Sequence, residues 1–327
     1  MTKDLLKNFD QVVPQLQEAR DAIRAVVLGQ DNVVDETLVT ILAGGHGLLM
    51  GVPGLGKTLL VSTVAQVLGL DSKRIQCTPD LMPADILGSE VLDEDPKTGK
   101  KSFRFIQGPV FTELLMADEI NRASPRTQSA LLQAMQEHTV TVAGEERALP
   151  EPFHVLATQN PLEQEGTYPL PEAQLDRFLL QINVDYPTLE AERAMVIATT
   201  GEGLAVPKTV LNKKTLLQAQ QVVKQLPVGA QVVDAAMAIV RRARPTADNR
   251  DSFITEGLSW GAGPRAAQAL VLTAKARALL DGRNTPSVDD VLALAGAVLR
   301  HRMQLSFSGR AGGLTTQQVI THVTKGI

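Results

Sequence analysis

Cysteine is almost absent from this chain of 327 residues. The single cysteine, Cys77, excludes an internal disulfide, so a reducing compartment is the simplest expectation. Cys77 stands in the apolar run RIQC with no base beside it. This setting predicts a buried, inert thiol rather than a nucleophile.

Long apolar runs are missing as well. The longest late run, LALAGAV at 292–298, is far too short to cross a bilayer. The first residues, MTKDLLKNFDQVVPQ, mix acids with apolar side chains and lack the continuous apolar stretch of a signal peptide. We therefore expect a cytoplasmic protein with no membrane insertion.

An excess of positive charge is the third absence. The formal net charge is -4, which argues against a protein that coats nucleic acid electrostatically. Charged residues at 21% and hydrophobic residues at 44% are ordinary for a folded protein. The composition therefore leaves a folded protein with a specific site as the class to consider.

Two kinds of pattern divide the chain. After two helix-like segments, five short apolar runs alternate with further helix-like segments. The runs are GLLMG, RIQC, ELLMA, FHVLAT and FLLQINV. This alternation predicts an α/β fold, a parallel five-stranded sheet with helices on both faces.

Past Pro187 the strand-like runs stop and helical periodicity takes over. We place the α/β domain at 1–187 and a small all-helical domain at 188–327.

The strongest motif is GVPGLGKT at 51–58, between strand-like GLLM and a helix-like run. It matches the phosphate-binding pattern G-x-x-x-x-G-K-[ST], in which glycines let backbone N–H groups wrap around the phosphates of ATP. Lys57 is expected to bind the β- and γ-phosphates, and the Thr58 hydroxyl to bind Mg²⁺. The expected nucleotide-binding residues of this loop are Gly51, Val52, Pro53, Gly54, Leu55, Gly56, Lys57, Thr58 and Leu59.

Two other strand-like runs end in polar residues that would lie beside this loop. ELLMADEIN at 113–121 presents Asp118 and Glu119, and FHVLATQNP at 153–161 presents Asn160. Open α/β sheets bind ligands at the carboxyl edge of their strands. We expect Asp118 to hold Mg²⁺, Glu119 to polarise the attacking water, and Asn160 to hydrogen-bond that water or the γ-phosphate. Taken alone, Asn160 before a proline is also typical of a turn.

Arg177, in PLPEAQLDRF at 169–178, admits two interpretations. Arginine keeps its charge, so it either pairs locally with Asp176 or binds an anion elsewhere. Adjacent residues of a helix point about 100° apart, so Asp176 is a poor partner if this segment is helical.

GVPGLGKT, LLMADEIN, ATQNP, PLPEAQLDRF and GAGPRA occur in this order, and nearly the whole chain resembles the AAA+ ATPases, within them the MoxR family. The nucleotide of such proteins lies between neighbouring subunits of a ring, here expected to be a homo-hexamer. The resemblance implies the following roles: Gly29 and Gln30 near the adenine, Asn160 as sensor 1, Arg265 as the sensor-2 arginine, and Arg177 as an arginine finger. A finger supplied in trans raises the rate of phosphoryl transfer by about 10³–10⁵.

The same resemblance implies a chaperone-like remodeller that assembles or matures protein complexes, working with a protein that bears a von Willebrand factor A domain. Two predicted hairpins, within 78–111 and 139–152, resemble the helix-2 insert and the hairpin before sensor 1. Residues 78–111 hold no aromatic–glycine pore-loop tripeptide outside the hairpin arm itself, which argues against polypeptide threading.

Three other functions stay open. They are a nucleotide-gated binding module, a magnesium-chelatase-like ATPase motor subunit, and a nucleic-acid motor. The last requires a basic hairpin tip. PKTGKK at 96–101 supplies three lysines, but DEDP precedes it, so the tip is near neutral.

Overall fold

A computed structural model describes residues 3–94, 101–163, 165–201 and 206–327. Its strands are β1 (Gly47–Met50), β2 (Ser72–Gln76), β3 (Gly88–Glu94), β4 (Lys101–Gln107), β5 (Leu114–Asp118), β6 (Thr139–Val142), β7 (Glu145–Ala148), β8 (His154–Gln159), β9 (Leu180–Asn183), β10 (Leu258–Trp260) and β11 (Gln304–Leu305). Its α-helices are α1 (Lys3–Arg24), α2 (Asp31–Leu42), α3 (Lys57–Leu68), α4 (Pro83–Leu87), α5 (Pro125–Glu137), α6 (Glu172–Leu175), α7 (Leu189–Thr200), α8 (Lys213–Gln225), α9 (Ala230–Arg242), α10 (Ser252–Gly257), α11 (Pro264–Leu280), α12 (Val288–Leu299), α13 (Phe307–Ala311) and α14 (Thr316–Thr324).

The five predicted strands form one parallel sheet in the order β2-β5-β8-β1-β9. Strand β1 lies between β8 and β9, with Leu48 opposite both Ala157 and Gln181. The carboxyl ends of all five strands therefore meet at one edge. The loop after β1 lies at this edge, flanked by the residues that follow β8 and β9.

Successive side chains of the sheet enter two different hydrophobic clusters. Leu49, Leu114 and Met116 belong to the cluster shared with α1, α2 and α3, whereas Leu48 and Leu115 belong to the one shared with α5. This alternation is the period-two pattern of a strand. Because each face needs an apolar cover, helices lie on both sides of the sheet, as the sequence predicts.

The second half of the chain is mainly helical, with one correction. Residues 258–260 and 304–305 pair as the short antiparallel strands β10 and β11, so the expectation that strands stop at Pro187 is wrong there. The helices beyond the proposed boundary also share a hydrophobic cluster with α1 and α2. An ion pair also joins these two parts of the chain, because Arg20 on α1 contacts Asp281 after α11 at 3.1 Å.

Both predicted hairpins are present. Strands β3 and β4 pair antiparallel, as do β6 and β7. Residues 95–100, which include all of the PKTGKK segment except Lys101, lie outside the described residues, and so does the turn that was expected to present the lysines. At the base of the first hairpin Arg147 of β7 stands 4.0 Å above the ring of Phe105, which joins the two hairpins.

No single helix among the described residues is long and apolar enough to cross a bilayer; one sharply bent pair, Lys213–Gln225 with Ala230–Arg242, reaches that length and composition only when taken together.

Two histidines close the amino edge of the sheet. His46 accepts a hydrogen bond on Nδ1 from Val155 N and therefore donates from Nε2 to Met135 O at 3.0 Å. His154 has the opposite tautomer, donating from Nδ1 to Gly45 O at 2.8 Å and accepting on Nε2 from Gln220 of α8. Burial lowers the pKa of His46 to about 3 and that of His154 to about 4. Both rings are therefore neutral and structural.

We expect these histidines to make the fold sensitive to acid. Their folded pKa values lie below the usual 6.5, so their contribution is fully present above pH 6.5 and is lost as the pH falls toward 4. His154→Asn removes one such group. When the pH is lowered from 6.5 to 5, the free energy of unfolding of the wild type should fall by about 1.5 kcal/mol more than that of the variant. Urea unfolding at the two pH values measures this difference.

Gln220→Leu is the matched control, because it breaks the hydrogen bond to His154 but keeps the titrating ring. It should lower stability by a similar amount at both pH values. A wild-type pH dependence retained in His154→Asn would show that the buried ring does not titrate as described.

Candidate functional site

The loop at 51–58 leaves room for a ligand at its glycines. Gly54 and Gly56 have φ values of +86° and +76°, a backbone region that favours glycine, and a Cβ at either position would meet nothing within 4 Å. Helix α3 begins at Lys57, directly after Gly56. The loop N–H groups and the helix N-terminus therefore adjoin open space, the arrangement that binds phosphate.

Gly51 has a different reason to be glycine. A Cβ there would lie 2.5 Å from the backbone oxygen of Val184, just beyond β9. The loop is thus packed tightly against the residue that follows β9.

Lys57 folds back over this loop. Its Nζ donates to the carbonyl oxygens of Gly51 and Val52, the latter at 3.0 Å. Burial lowers the pKa of Lys57, while the nearby carboxylates of Asp118 and Glu119 raise it. The ammonium group is thereby held between the loop and the two acids.

Asp118 and Glu119 end β5 at the same edge and are already restrained by hydrogen bonds. Asp118 is buried and forms an ion pair with Arg74 of β2. Glu119 accepts from Gln76 Nε2 at 2.9 Å and from Arg122 Nη1 at 3.2 Å. Glu119 also has φ of 55°, uncommon for a residue with a Cβ, so the chain turns sharply between the two acids.

Thr158 of β8 joins these two acids and was not identified from the sequence. Its hydroxyl donates to Asp118 Oδ1 at 2.5 Å and accepts from the backbone N–H of Glu119 at 2.9 Å. A threonine in a strand is too common to signal this role, because only the register of β5 and β8 brings the groups together.

Asn160 stands at the predicted edge, one residue after β8. The backbone N–H of Gly51 donates to Gln159 O at 3.2 Å, so Asn160 adjoins the loop. Its own Oδ1 accepts from Leu162 N at 3.1 Å. The side chain therefore makes the turn contact that the sequence suggested as its alternative, and no hydrogen bond of its amide nitrogen is found among the described residues.

Gly29 and Gln30 lie on the other side of the loop. Gln30 Nε2 donates to Leu55 O at 3.2 Å. Both residues line a cavity of about 530 Å³ that also contacts Glu36, Tyr186 and Arg300. Burial raises the pKa of Glu36 to about 7. The cavity lies next to the phosphate loop and is large enough for a nucleobase.

Arg177 is not paired with Asp176. The segment is helical through Leu175, and the Asp176 carboxylate is bound by Arg302 at 2.7 Å and Arg265 at 3.5 Å. Within the described part of the chain, Arg177 has no ion-pair partner and its side chain is half-buried. The local explanation of this arginine is therefore wrong.

Arg302 holds this segment in place, and the sequence carried no sign of it. Its side chain is 3% exposed. Besides Asp176 it donates to the backbone oxygens of Phe178, Leu179 and Val298, and His301 Nε2 binds Phe178 O at 2.9 Å. The helical part of the chain thus clamps residues 176–179.

The residues at the sheet edge fit ATP with Mg²⁺. Mg²⁺ prefers oxygen ligands and usually keeps waters and substrate phosphates among them. The Asp118 carboxylate and the exposed Thr58 hydroxyl supply such oxygens, and the described residues contain no cluster of three His, Cys, Asp or Glu side chains that would hold a metal by themselves. Cys77 is buried behind the two acids, and burial raises its pKa to about 12, so it remains an inert thiol.

Two parts of the chain match known domain families. Residues 46–180 match the family described as "ATPase family associated with various cellular activities (AAA)", and residues 250–323 match the "AAA lid domain".

Relatives cover nearly the whole chain. "Chaperone MoxR1" of Mycobacterium tuberculosis is 40% identical over 313 residues, which are 95% of this chain and 81% of that protein. "Protein MoxR" of Paracoccus denitrificans is 31% identical, with 89% of each chain covered. A crystal structure of a protein from Cytophaga hutchinsonii, described there as a candidate ATPase, superposes with a TM-score of 0.90 at 35% identity, covering 99% of this chain and 98% of that one.

Thr158 allows a specific test of the sheet edge. Thr158→Val removes the hydroxyl that positions Asp118 and the Glu119 backbone. We expect the Mg²⁺ concentration for half-maximal ATP hydrolysis to rise about tenfold, the usual effect of losing an outer-shell partner of a metal ligand. The measurement is phosphate release against Mg²⁺ concentration.

Thr158→Ser keeps the hydroxyl and should restore the wild-type Mg²⁺ dependence. An identical Mg²⁺ dependence in Thr158→Val would show that the hydroxyl does not position the acids.

Proposed function

Because this chain belongs to the MoxR family of AAA+ ATPases, we propose that it hydrolyses ATP in a head-to-tail ring and uses the cycle to remodel or assemble a protein partner. The observation that carries the proposal is Arg177, an arginine free of ion pairs within the described residues on a segment that Arg302 clamps. A cation on a backbone segment held in this way suits an anion supplied by another subunit.

Each residue of the sheet edge has a role in this proposal. The loop N–H groups and Lys57 bind the phosphates, and Thr58 and Asp118 hold the Mg²⁺ that neutralises them. Glu119 orients and polarises the attacking water, and the Asn160 amide binds that water or the γ-phosphate. The cavity at Gly29 and Gln30 takes the base.

Arg265 is proposed to act beside Arg177. It is the second residue of α11, its side chain is 58% exposed, and it shares the Asp176 carboxylate with Arg302. This contact supports placing both arginines on one surface, opposite the neighbouring subunit's nucleotide. Two fixed guanidinium groups stabilise the charge that spreads over the transferred phosphoryl group.

A protein partner is favoured by the exposed part of the first hairpin. Leu92 and Phe103 stand opposite each other on β3 and β4, at 57% and 72% exposure. An apolar pair of this kind suits contact with a protein surface better than contact with nucleic acid. We propose a chaperone-like role, in the cytoplasm, for a homo-hexamer that works with a von Willebrand factor A domain protein.

The magnesium-chelatase-like motor and the nucleotide-gated binding module use the same site. The Glu119→Gln variant distinguishes the binding module from the two motors. A binding module would keep its function in this variant, because ATP is still bound although it is not hydrolysed.

Arg177→Ala tests the finger directly. The variant should bind ATP normally but lose about 10³-fold in hydrolysis, because the transition-state charge is no longer stabilised. Mixed in equal amounts with the Glu119→Gln form it should regain activity, since about a quarter of the interfaces would join an intact Glu119 to an intact Arg177. Phosphate release from the mixture is the measurement.

Arg241→Ala, which removes an exposed arginine of α9, is the control and should behave as the wild type. No recovery at any mixing ratio would contradict a finger supplied in trans.

Ring formation is tested by dilution. The specific ATPase activity should rise with protein concentration as interfaces form, because each site is completed by its neighbour. A specific activity that stays constant from dilute monomer to concentrated protein would contradict the ring.

A further inference from the structure

One arginine contacts two polar groups of the sheet edge at once. Arg74 is the third residue of β2, and its Nη2 atom donates to Gln76 Oε1 at 3.0 Å and to Asp118 Oδ2 at 2.5 Å. Each terminal nitrogen of a guanidinium group carries two hydrogens, so one atom can supply both bonds. Arg74 therefore joins the end of its own strand to the acid that ends β5.

The register of β2 and β5 brings these groups together. Arg74 stands opposite Met116, and Gln76 stands opposite Asp118. Side chains two residues apart on a strand point to the same face, and directly opposite residues share that face. Met116 belongs to the hydrophobic cluster that the sheet shares with α3. Arg74 and Gln76 therefore lie on the face of the sheet from which α3 and the phosphate loop are reached.

Arg74 also determines which way round the Gln76 amide lies. An arginine can only donate, so the atom that faces it must be the amide oxygen. The amide nitrogen is then the atom that faces Glu119, and it donates to Glu119 Oε2 at 2.9 Å. Through Gln76, the guanidinium group of Arg74 acts on the second acid of the site as well as on the first.

The contact with Asp118 differs from an ordinary surface ion pair. The side chain of Asp118 is 13% exposed, against 52% for Arg74, so little water screens the carboxylate. Its other oxygen, Oδ1, accepts from the hydroxyl of Thr158. Both oxygens of Asp118 are thus bound, one by a neutral donor and one by a cation.

This cation changes how the two acids act on ATP. In the absence of metal, two carboxylates beside the phosphate loop repel a triphosphate. Arg74 offsets the charge of Asp118, so part of this repulsion is removed before Mg²⁺ binds. The same positive charge opposes a second cation at Asp118, so it weakens the binding of the metal.

We infer that Arg74 is a positioning residue of the ATPase site, which holds Asp118 directly and Glu119 through Gln76, and which lets ATP bind ahead of its metal. The inference rests on the proposed hydrolysis of ATP at this site. It does not depend on the ring.

Metal-free nucleotide binding tests the charge of Arg74. The dissociation constant of a fluorescent, non-hydrolysable analogue, the N-methylanthraniloyl derivative of adenylyl imidodiphosphate, is measured once with EDTA and once with Mg²⁺. For Arg74→Gln the ratio of the EDTA value to the Mg²⁺ value should exceed the wild-type ratio about tenfold, because Asp118 then repels the phosphates until the metal binds.

Two further variants separate charge at Asp118 from charge in general. Arg74→Lys keeps the positive charge and should give the wild-type ratio. Lys73→Gln is the matched control, because it removes the same charge from the next position of β2, where the side chain instead donates to Phe111 O at 3.2 Å. This control should also leave the ratio unchanged.

Turnover tests the connection through Gln76. At saturating Mg²⁺ and ATP, Arg74→Gln and Gln76→Leu should each lower kcat about tenfold, the usual effect of losing an outer-shell partner. Gln76→Leu should leave the binding ratio unchanged, because the charge of Arg74 remains. Since both residues act on Glu119 along one path, the double variant should be no slower than Arg74→Gln alone. Effects on kcat that multiply would contradict this path.

The outcomes separate this inference from the proposed function. A wild type that neither binds the analogue nor releases phosphate from ATP would overturn both. If the wild type hydrolyses ATP, and Arg74→Gln matches Lys73→Gln in binding ratio and in kcat, only the role of Arg74 is overturned, and its contact with Asp118 is a surface ion pair.

Discussion

The buried charge of Arg302 is the constraint on which the proposed interface depends. A guanidinium group removed from water is costly unless each donor is satisfied. Arg302 meets this demand with the Asp176 carboxylate and three backbone oxygens. The end of α12 and residues 176–179 are therefore fixed together, and Arg177 is oriented by a neighbour on each side. Breaking a buried pair of this kind costs about 3–5 kcal/mol, so residues 176–179 are part of the folded core.

The two edges of the sheet are built for different purposes. At the amino edge His154 accepts a hydrogen bond from Gln220, and the neutral side chains of His46, His154 and Gln220 all bond to nearby backbone groups. At the carboxyl edge the polar groups are charged and gathered around open glycines. Asp118 and Glu119 are held there by Arg74, Arg122 and Thr158. One edge stabilises the fold, and the other keeps charged groups ready for an anionic ligand.

Several residues illustrate what pattern could and could not predict. The phosphate loop, the acids after β5 and the five strands follow from local sequence, because apolar runs and glycine spacing act over a few residues. Asn160 was placed correctly at the sheet edge, yet its contact with Leu162 N depends on how the turn closes. The strands β10 and β11 were missed because two or three residues give no periodicity.

Local sequence is sufficient to predict the fold class, the phosphate-binding loop and the two acids that follow it in the chain. Those features are encoded by neighbours along the chain. Three-dimensional packing determines that Asp176 binds Arg302 and Arg265 rather than Arg177, that Thr158 joins Asp118 to Glu119, and that Leu189, Val196 and Ile197 of α7 stay exposed. These facts join residues up to 126 positions apart. Partners so distant are selected by packing and by the satisfaction of buried polar groups, which no local pattern records.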